Sequence, residues 1–509
     1  MHPEAAPEPG SVHAAYVAER LEEVGRYGAE PLSEHVRRHA RDRADRIAYV
    51  EGGFRLTWAE LDELADRLAA FLVGTGLQPG ERVAVCFPDG PVVHALYLAA
   101  ERAGLVTVGI GPRAGDQELR HLVQVTGARV LVTAPGHRGP GPVARHLVID
   151  PYRPDCPPGA TPGGRALGVG EVFLLNSTSG TSGMPKCVVH NQNRWLYFHT
   201  QVLRAGDVHA GDVIASLVPA PYGFGLWSAH VTPIVLGATT VLMSRFDAGR
   251  AVRLVAEHRA TVLAAVTTQF VMMLNAPEFE RADLRSLRCL FTGGEAIPYR
   301  RAAEFERRTG AAVLNFYGSN ETGMLSYTTR RDPQEARLAT AGRVSEDMRV
   351  RLFEDGRSGC RGPATSLGYY ADPAANARLF SPDGWMLTGD LCTVDAEGYL
   401  RVVGRASDFI IRGGRNVSAA AVEEQVGSHP SVAMVAAVGV PDEVFGERVC
   451  AVVELCAGAS LDLPGLTEHL AARGVSKEIW PERLEVVERL PRNAGGKVAK
   501  AELRERYRG

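Results

Sequence analysis

Short apolar runs alternate with amphipathic stretches through most of the chain. "RVAVCF" (82–87), "ARVLVT" (128–133), "TTVLM" (239–243) and "LRCLFTGG" (287–294) read as buried strands. "TWAELDELADRLAAFLVGTG" (57–76) carries leucines and alanines at helical spacing. It opens on Thr57 with Glu60 three residues later and ends on a glycine, the pattern of a capped helix. Strand–helix alternation of this kind predicts α/β layers with a largely parallel sheet. A chain of 509 residues exceeds what one core accommodates, so a second domain is expected. "RPDCPPGATPGGRALG" (153–168) is dense in proline and glycine and reads as a surface connection. Near residue 404 the pattern changes again. "GRASDFIIRGGRN" precedes a shorter block of strands and helices, which predicts a large domain at 1–404 and a small α+β domain at 405–509.

Apolar residues make up 45% of the chain and charged residues 23%, ordinary for a globular protein. A net charge of −3 gives no electrostatic case for nucleic acid or anionic membrane. The start, "MHPEAAPEPGSVHAAYVAER", lacks a cationic segment followed by an apolar run, and no window approaches the roughly 18–20 apolar residues that span a bilayer. The eight cysteines are scattered without a CxxC or zinc spacing. A cytoplasmic protein with reduced thiols is expected.

One loop stands out in "EVFLLNSTSGTSGMPKCVVH". The strand-like "EVFLL" feeds into Thr178, Ser179, Gly180, Thr181, Ser182 and Gly183, with Lys186 behind a proline. The glycines permit a tight turn, the hydroxyls and backbone N–H groups can face an anion, and Lys186 adds a cation. A P-loop NTPase is excluded, because that loop needs Gly-Lys-Ser/Thr opening a helix. The loop alone leaves two readings open: a phosphate cradle, or a polar turn between two strands.

Four further segments extend the picture: "NFYGSNETG" (315–323), "GWMLTGD" (384–390), "GRASDFIIRGGRNV" (404–417) and "PRNAGGK" (491–497). Together with the loop, and in this order, they resemble the motifs of the adenylate-forming superfamily of acyl-CoA synthetases, adenylation domains and luciferase-like enzymes. The resemblance implies ATP-dependent, Mg²⁺-dependent activation of an acid as its adenylate, with a mobile C-terminal domain. It implies that residues 178–183 and Lys186 hold the phosphates, that Glu321 holds Mg²⁺, and that Asn320 stands near the α-phosphate. Gly294, Glu295, Ala296, Asn315, Phe316, Tyr317, Asp390 and Arg405 fall at the adenine and ribose positions. Lys497 falls at the catalytic lysine, and Ser407 and Asp408 fall at the hinge.

"PAPYGFGLWSAHVTPIVLGATTVLM" (219–243) and "TGGEAIP" (292–298) look most like benzoate-type aryl-CoA ligases. Tyr222, Gly223, Phe224, Phe270 and Gly293 are the implied substrate pocket, suited to an aromatic carboxylic acid, with CoA as the implied co-substrate. "PDEVFGERV" (441–449) resembles the CoA-facing segment, and Phe445 is either a stacking surface for CoA or part of the core. The chain departs from the family at Cys187, Asn320, Ser407, Ala419, Ala421 and Asn493, and "LFEDGRSGCRGPATSLGYY" (352–370) looks trimmed. Most of these lie near the hinge and channel, so they bear on the acceptor more than on adenylation. Three alternatives stay open: delivery to a separate carrier protein, adenylation of a non-carboxylate oxyanion such as nitrite with an aryl amine acceptor, and a nucleotide-binding module without chemistry. No nucleic-acid or membrane partner is expected.

Overall fold

The computed structural model describes residues 7–136, 143–155, 165–177, 184–354, 356–405, 408–412, 415–492 and 497–508. Residues 178–183 of the glycine loop, Ser407 of the hinge, and 156–164 of the Pro/Gly-rich connection lie outside the described residues.

Two layered sheets form the large body. A six-stranded sheet runs in the order Arg145–Val148, Val130–Thr133, Arg82–Cys86, Val106–Ile110, Val172–Ser177, Cys187–Asn191. All its pairings are parallel except the last, where Val172–Ser177 and Cys187–Asn191 run antiparallel on either side of the glycine loop. A nine-stranded sheet carries Cys289–Gly293 beside Ala312–Ser319 in parallel, and Ala312–Ser319 then turns back antiparallel into Gly323–Tyr327. The fold is therefore mixed α/β with mostly parallel sheets, as the alternation predicts.

The helix expected at 57–76 spans Trp58–Val73. Thr57 accepts from the Glu60 N–H at 3.2 Å, and the Glu60 carboxylate accepts from the Thr57 N–H at 2.7 Å, closing a reciprocal cap. Leu61, Leu64, Leu68 and Leu72 form its buried stripe. It stops at Gly74 rather than at Gly76.

A four-stranded antiparallel sheet (Arg349–Leu352, Arg357–Arg361, Met386–Val394, Leu400–Arg405) follows, and its last strand ends at Arg405. From Phe409 onward the strands belong to a separate five-stranded sheet, whose core includes Ile410, Val422, Ala437, Ala451, Val453 and Leu466. No helix among the described residues is long and apolar enough to cross a membrane.

Candidate active site

Strand Ala312–Ser319 sends successive side chains to opposite faces. Tyr317 turns toward the four-stranded sheet, where its hydroxyl donates to Asp390 Oδ2 at 2.6 Å. Arg405, paired with Asp390 across adjacent strands, donates from Nε to Asp390 Oδ1 at 3.0 Å. Burial, with the Asp390 charge adding to it, raises the Tyr317 phenol far above its ordinary value, so it stays a donor. Asn315 is committed to the backbone, its Nδ2 donating to Thr340 O at 2.7 Å.

Phe316 points the other way. Its ring stacks on Phe224 at 4.9 Å and meets Trp227 edge-on at 6.2 Å. The resemblance put Phe316 with the nucleotide; the two-residue period of the strand turns its side chain to Phe224 and Trp227, on the face opposite Tyr317. Phe270 is the opposite correction. It is fully buried against Phe305 at 5.9 Å, in a different core from Phe224, Trp227 and Phe316. Tyr222 sits over Gly111: a Cβ there would fall 2.2 Å from the Tyr222 hydroxyl. Burial pushes the Tyr222 phenol up to about 12. Gly223 N–H donates to Asn320 Oδ1 at 3.3 Å, and a Cβ on Gly293 would meet Phe316 O at 2.4 Å.

Lys497, from the far end of the chain, reaches this same place. A Cβ on Gly294 would lie 2.9 Å from Lys497 Cε and 3.0 Å from Nζ, and Gly294 has a left-handed backbone at φ +82°. The neighbouring Val498 N–H donates to Glu295 Oε1 at 2.9 Å. Burial pulls the Lys497 ammonium below its ordinary value, with the Glu295 carboxylate opposing that pull. Burial likewise raises Glu295, which Lys497 opposes. Ala296 beside it is exposed. Elsewhere in the C-terminal part, Asp408 pairs with Arg504 at 3.0 Å and Lys500 with Glu423 at 2.6 Å. Phe445 is 41% exposed, with the Arg412 and Arg448 guanidiniums at 5.6 and 5.9 Å from its ring, so it is not a core residue.

The sequence reading missed a buried polar chain behind Asn320. Arg194 Nη1 donates to Asn320 O at 2.9 Å and to His190 Nδ1 at 2.8 Å. His190 Nε2 contacts Asn176 Oδ1 at 2.7 Å, and Asn176 Nδ2 reaches Pro221 O at 3.1 Å and Asn320 Oδ1 at 3.4 Å. Burial, reinforced by the Arg194 charge, keeps His190 neutral well below its ordinary value, and burial lowers Arg194 to about 10. A neutral imidazole protonated at Nε2 satisfies both contacts. The signal available in the sequence was the spacing of His190 and Arg194, four apart where the helix Gln192–Gly206 begins.

Residues 36–370 match the AMP-binding enzyme family, and residues 421–497 match the C-terminal domain of AMP-binding enzymes. The chain is 32% identical to a feruloyl-CoA synthase of an Amycolatopsis species, over 92% of this chain and 98% of that protein. It is 32% identical to the salicyl-AMP ligase / salicyl-S-ArCP synthetase of Mycobacterium tuberculosis, over 91% of this chain and 88% of that one. Among solved structures, ATP-bound MatB from Rhodopseudomonas palustris superposes with a TM-score of 0.83 at 27% identity, covering 94% of this chain and 99% of MatB. The chain belongs to the AMP-binding enzyme family. It is an AMP-forming ligase that uses ATP to activate an acid as its adenylate.

Proposed function

We propose that this ligase activates a small aromatic carboxylic acid and passes the acyl group to the thiol of CoA. The observation that carries the reading is the arrival of Lys497 at Gly294, beside the Tyr317–Asp390–Arg405 cluster. The aromatic group of Phe224, Trp227 and Phe316 supports an aryl substrate, as do relatives named for feruloyl and salicyl groups.

In the first step a carboxylate oxygen attacks the α-phosphate of ATP and pyrophosphate leaves. Two anions must meet, so catalysis rests on alignment and charge neutralisation. Lys497 bridges the attacking oxygen and the α-phosphate, with Asn320 on the same phosphate. Residues 178–183 and Lys186 hold the β- and γ-phosphates. Tyr317 lies against adenine, the backbone of 294–296 runs along the base edge, and Asp390 and Arg405 take the ribose hydroxyls. Glu321 fits Mg²⁺: magnesium takes one or two carboxylates plus phosphate oxygens, and Glu321 is a half-buried single carboxylate. When bound, the ion neutralises phosphate charge.

In the second step the thiol sulfur attacks the acyl carbon and AMP leaves. Residues 405–509 act as the mobile domain, which withdraws Lys497 and opens a thiol channel, with Phe445 available to stack on CoA. A second reading, delivery to a separate carrier protein, is favoured by the relative named as a salicyl-S-ArCP synthetase. The test is AMP release from ATP with a panel of aryl acids, adding CoA, a carrier protein, or nitrite plus an aryl amine separately. AMP formation that requires an aryl acid and is driven by CoA supports the proposal. Turnover that ignores CoA and needs either of the other additions overturns it.

A further inference from the structure

The segment just before Tyr370 is hydrogen-bonded to the strand that follows Lys186 and to the backbone of Glu321, the two charged residues assigned to the phosphate end of the site. Leu367 N–H donates to Val189 O at 3.1 Å, Val189 N–H to Gly368 O at 2.9 Å, and Tyr370 N–H to Cys187 O at 2.8 Å. These bonds lay the segment along the strand Cys187–Asn191, which begins directly after Lys186. On its other side, Ser366 N–H donates to Glu321 O at 2.7 Å. Gly368 makes the crossing possible. Its φ is +97°, and a Cβ would lie 2.5 Å from His13 Nε2 and 2.7 Å from Asn376 Oδ1.

Tyr369 projects from this braced segment with its backbone fixed at both ends. Its N–H donates to Asn376 Oδ1 and its carbonyl accepts from Asn376 Nδ2, each at 2.8 Å. Its hydroxyl donates to Glu321 Oε1 at 2.8 Å, and Lys186 Nζ lies 4.8 Å from its ring centre. One side chain thus presents a hydrogen-bond donor to the carboxylate and a π face to the ammonium. Among the described residues, the side-chain hydrogen bond to the Glu321 carboxylate falls on Oε1. We propose that Tyr369 is a positioning residue, whose hydroxyl aims Glu321 at the metal and whose ring sets Lys186 against the phosphates. The inference rests on the metal and phosphate roles proposed above for those two residues.

The test separates the two faces of the side chain. Tyr369→Phe keeps the ring and removes the hydroxyl; Tyr369→Leu removes both. Binding of Mn²⁺ to the enzyme·ATP complex is followed by electron paramagnetic resonance, and pyrophosphate binding by calorimetry, with Glu321→Gln as the reference and melting curves to establish folding. Loss of a hydrogen bond to a charged group predicts roughly tenfold or greater weakening of Mn²⁺ binding in Tyr369→Phe, with pyrophosphate affinity unchanged. Tyr369→Leu weakens pyrophosphate binding in addition, by roughly threefold to fivefold for a partly exposed cation–π contact. Wild-type Mn²⁺ affinity in Tyr369→Phe, alongside weakened binding in Glu321→Gln, overturns the role of Tyr369 alone. Wild-type affinity in Glu321→Gln overturns the metal role of Glu321 and this inference with it.

Discussion

Replacing Gly294 with alanine perturbs the lysine without touching its charge. The added methyl would stand 2.9 Å from Lys497 Cε and 3.0 Å from Nζ, closer than carbon contacts allow. Either the lysine tip retreats or the Gly294 backbone moves. The backbone sits at φ +82°, where a β-carbon costs about 1–2 kcal/mol, so Gly294→Ala loses about that much stability. A tip displaced by about 1 Å costs up to roughly 10²-fold in a step that depends on alignment. The assay measures acid-dependent ATP–pyrophosphate exchange beside thioester formation from pre-made acyl-adenylate. Exchange falls by about 10- to 100-fold, while thioester formation, for which the proposed mechanism withdraws the lysine, stays within about threefold of wild type. Unchanged exchange in a folded variant, or equal loss in both steps, refutes the placement of Lys497 as the group that acts in adenylation alone.

Lys497→Ala removes the bridging charge and lowers adenylation by at least roughly 10²–10³-fold, while ATP binding measured by calorimetry is largely kept. Burial holds Lys497 below the ordinary lysine value and Glu295 opposes that shift. The alkaline limb of kcat/KM for adenylation therefore lies below the usual lysine range, and Glu295→Gln moves it to still lower pH; a limb that stays put or rises counts against the pairing. Arg194→Leu leaves Asn320 O and His190 Nδ1 without their buried donor. Each such loss costs about 1–3 kcal/mol, read by urea denaturation, and a change under about 0.5 kcal/mol would show the chain to be inert.

The strand–helix alternation and the capped helix at 58–73 were legible because both rest on local periodicity and capping chemistry. Tyr317, Asp390 and Arg405, named together from separate motifs, do meet, although they come from three strands of two sheets. What the sequence could not convey was direction. Phe316 and Tyr317 are adjacent letters, yet the pleat sends one to the aromatic cluster and the other to Asp390. Phe270 reads as one more pocket aromatic until packing assigns it to Phe305. Glu295, Asn176, His190, Arg194 and Tyr369 act through contacts between residues distant in the chain, apart from the short His190–Arg194 step. Periodicity carries no trace of such contacts.

The most direct measurement uses the acid labelled with ¹⁸O in its carboxylate, incubated with ATP, Mg²⁺ and CoA, and follows the AMP by mass spectrometry. Attack on the α-phosphate, followed by thiol attack at the acyl carbon, leaves one carboxylate oxygen on the nucleotide. AMP heavier by one ¹⁸O, formed with pyrophosphate and lost in Lys497→Ala, is the predicted result. ADP, or AMP without label, would contradict adenylation of the acid at this site.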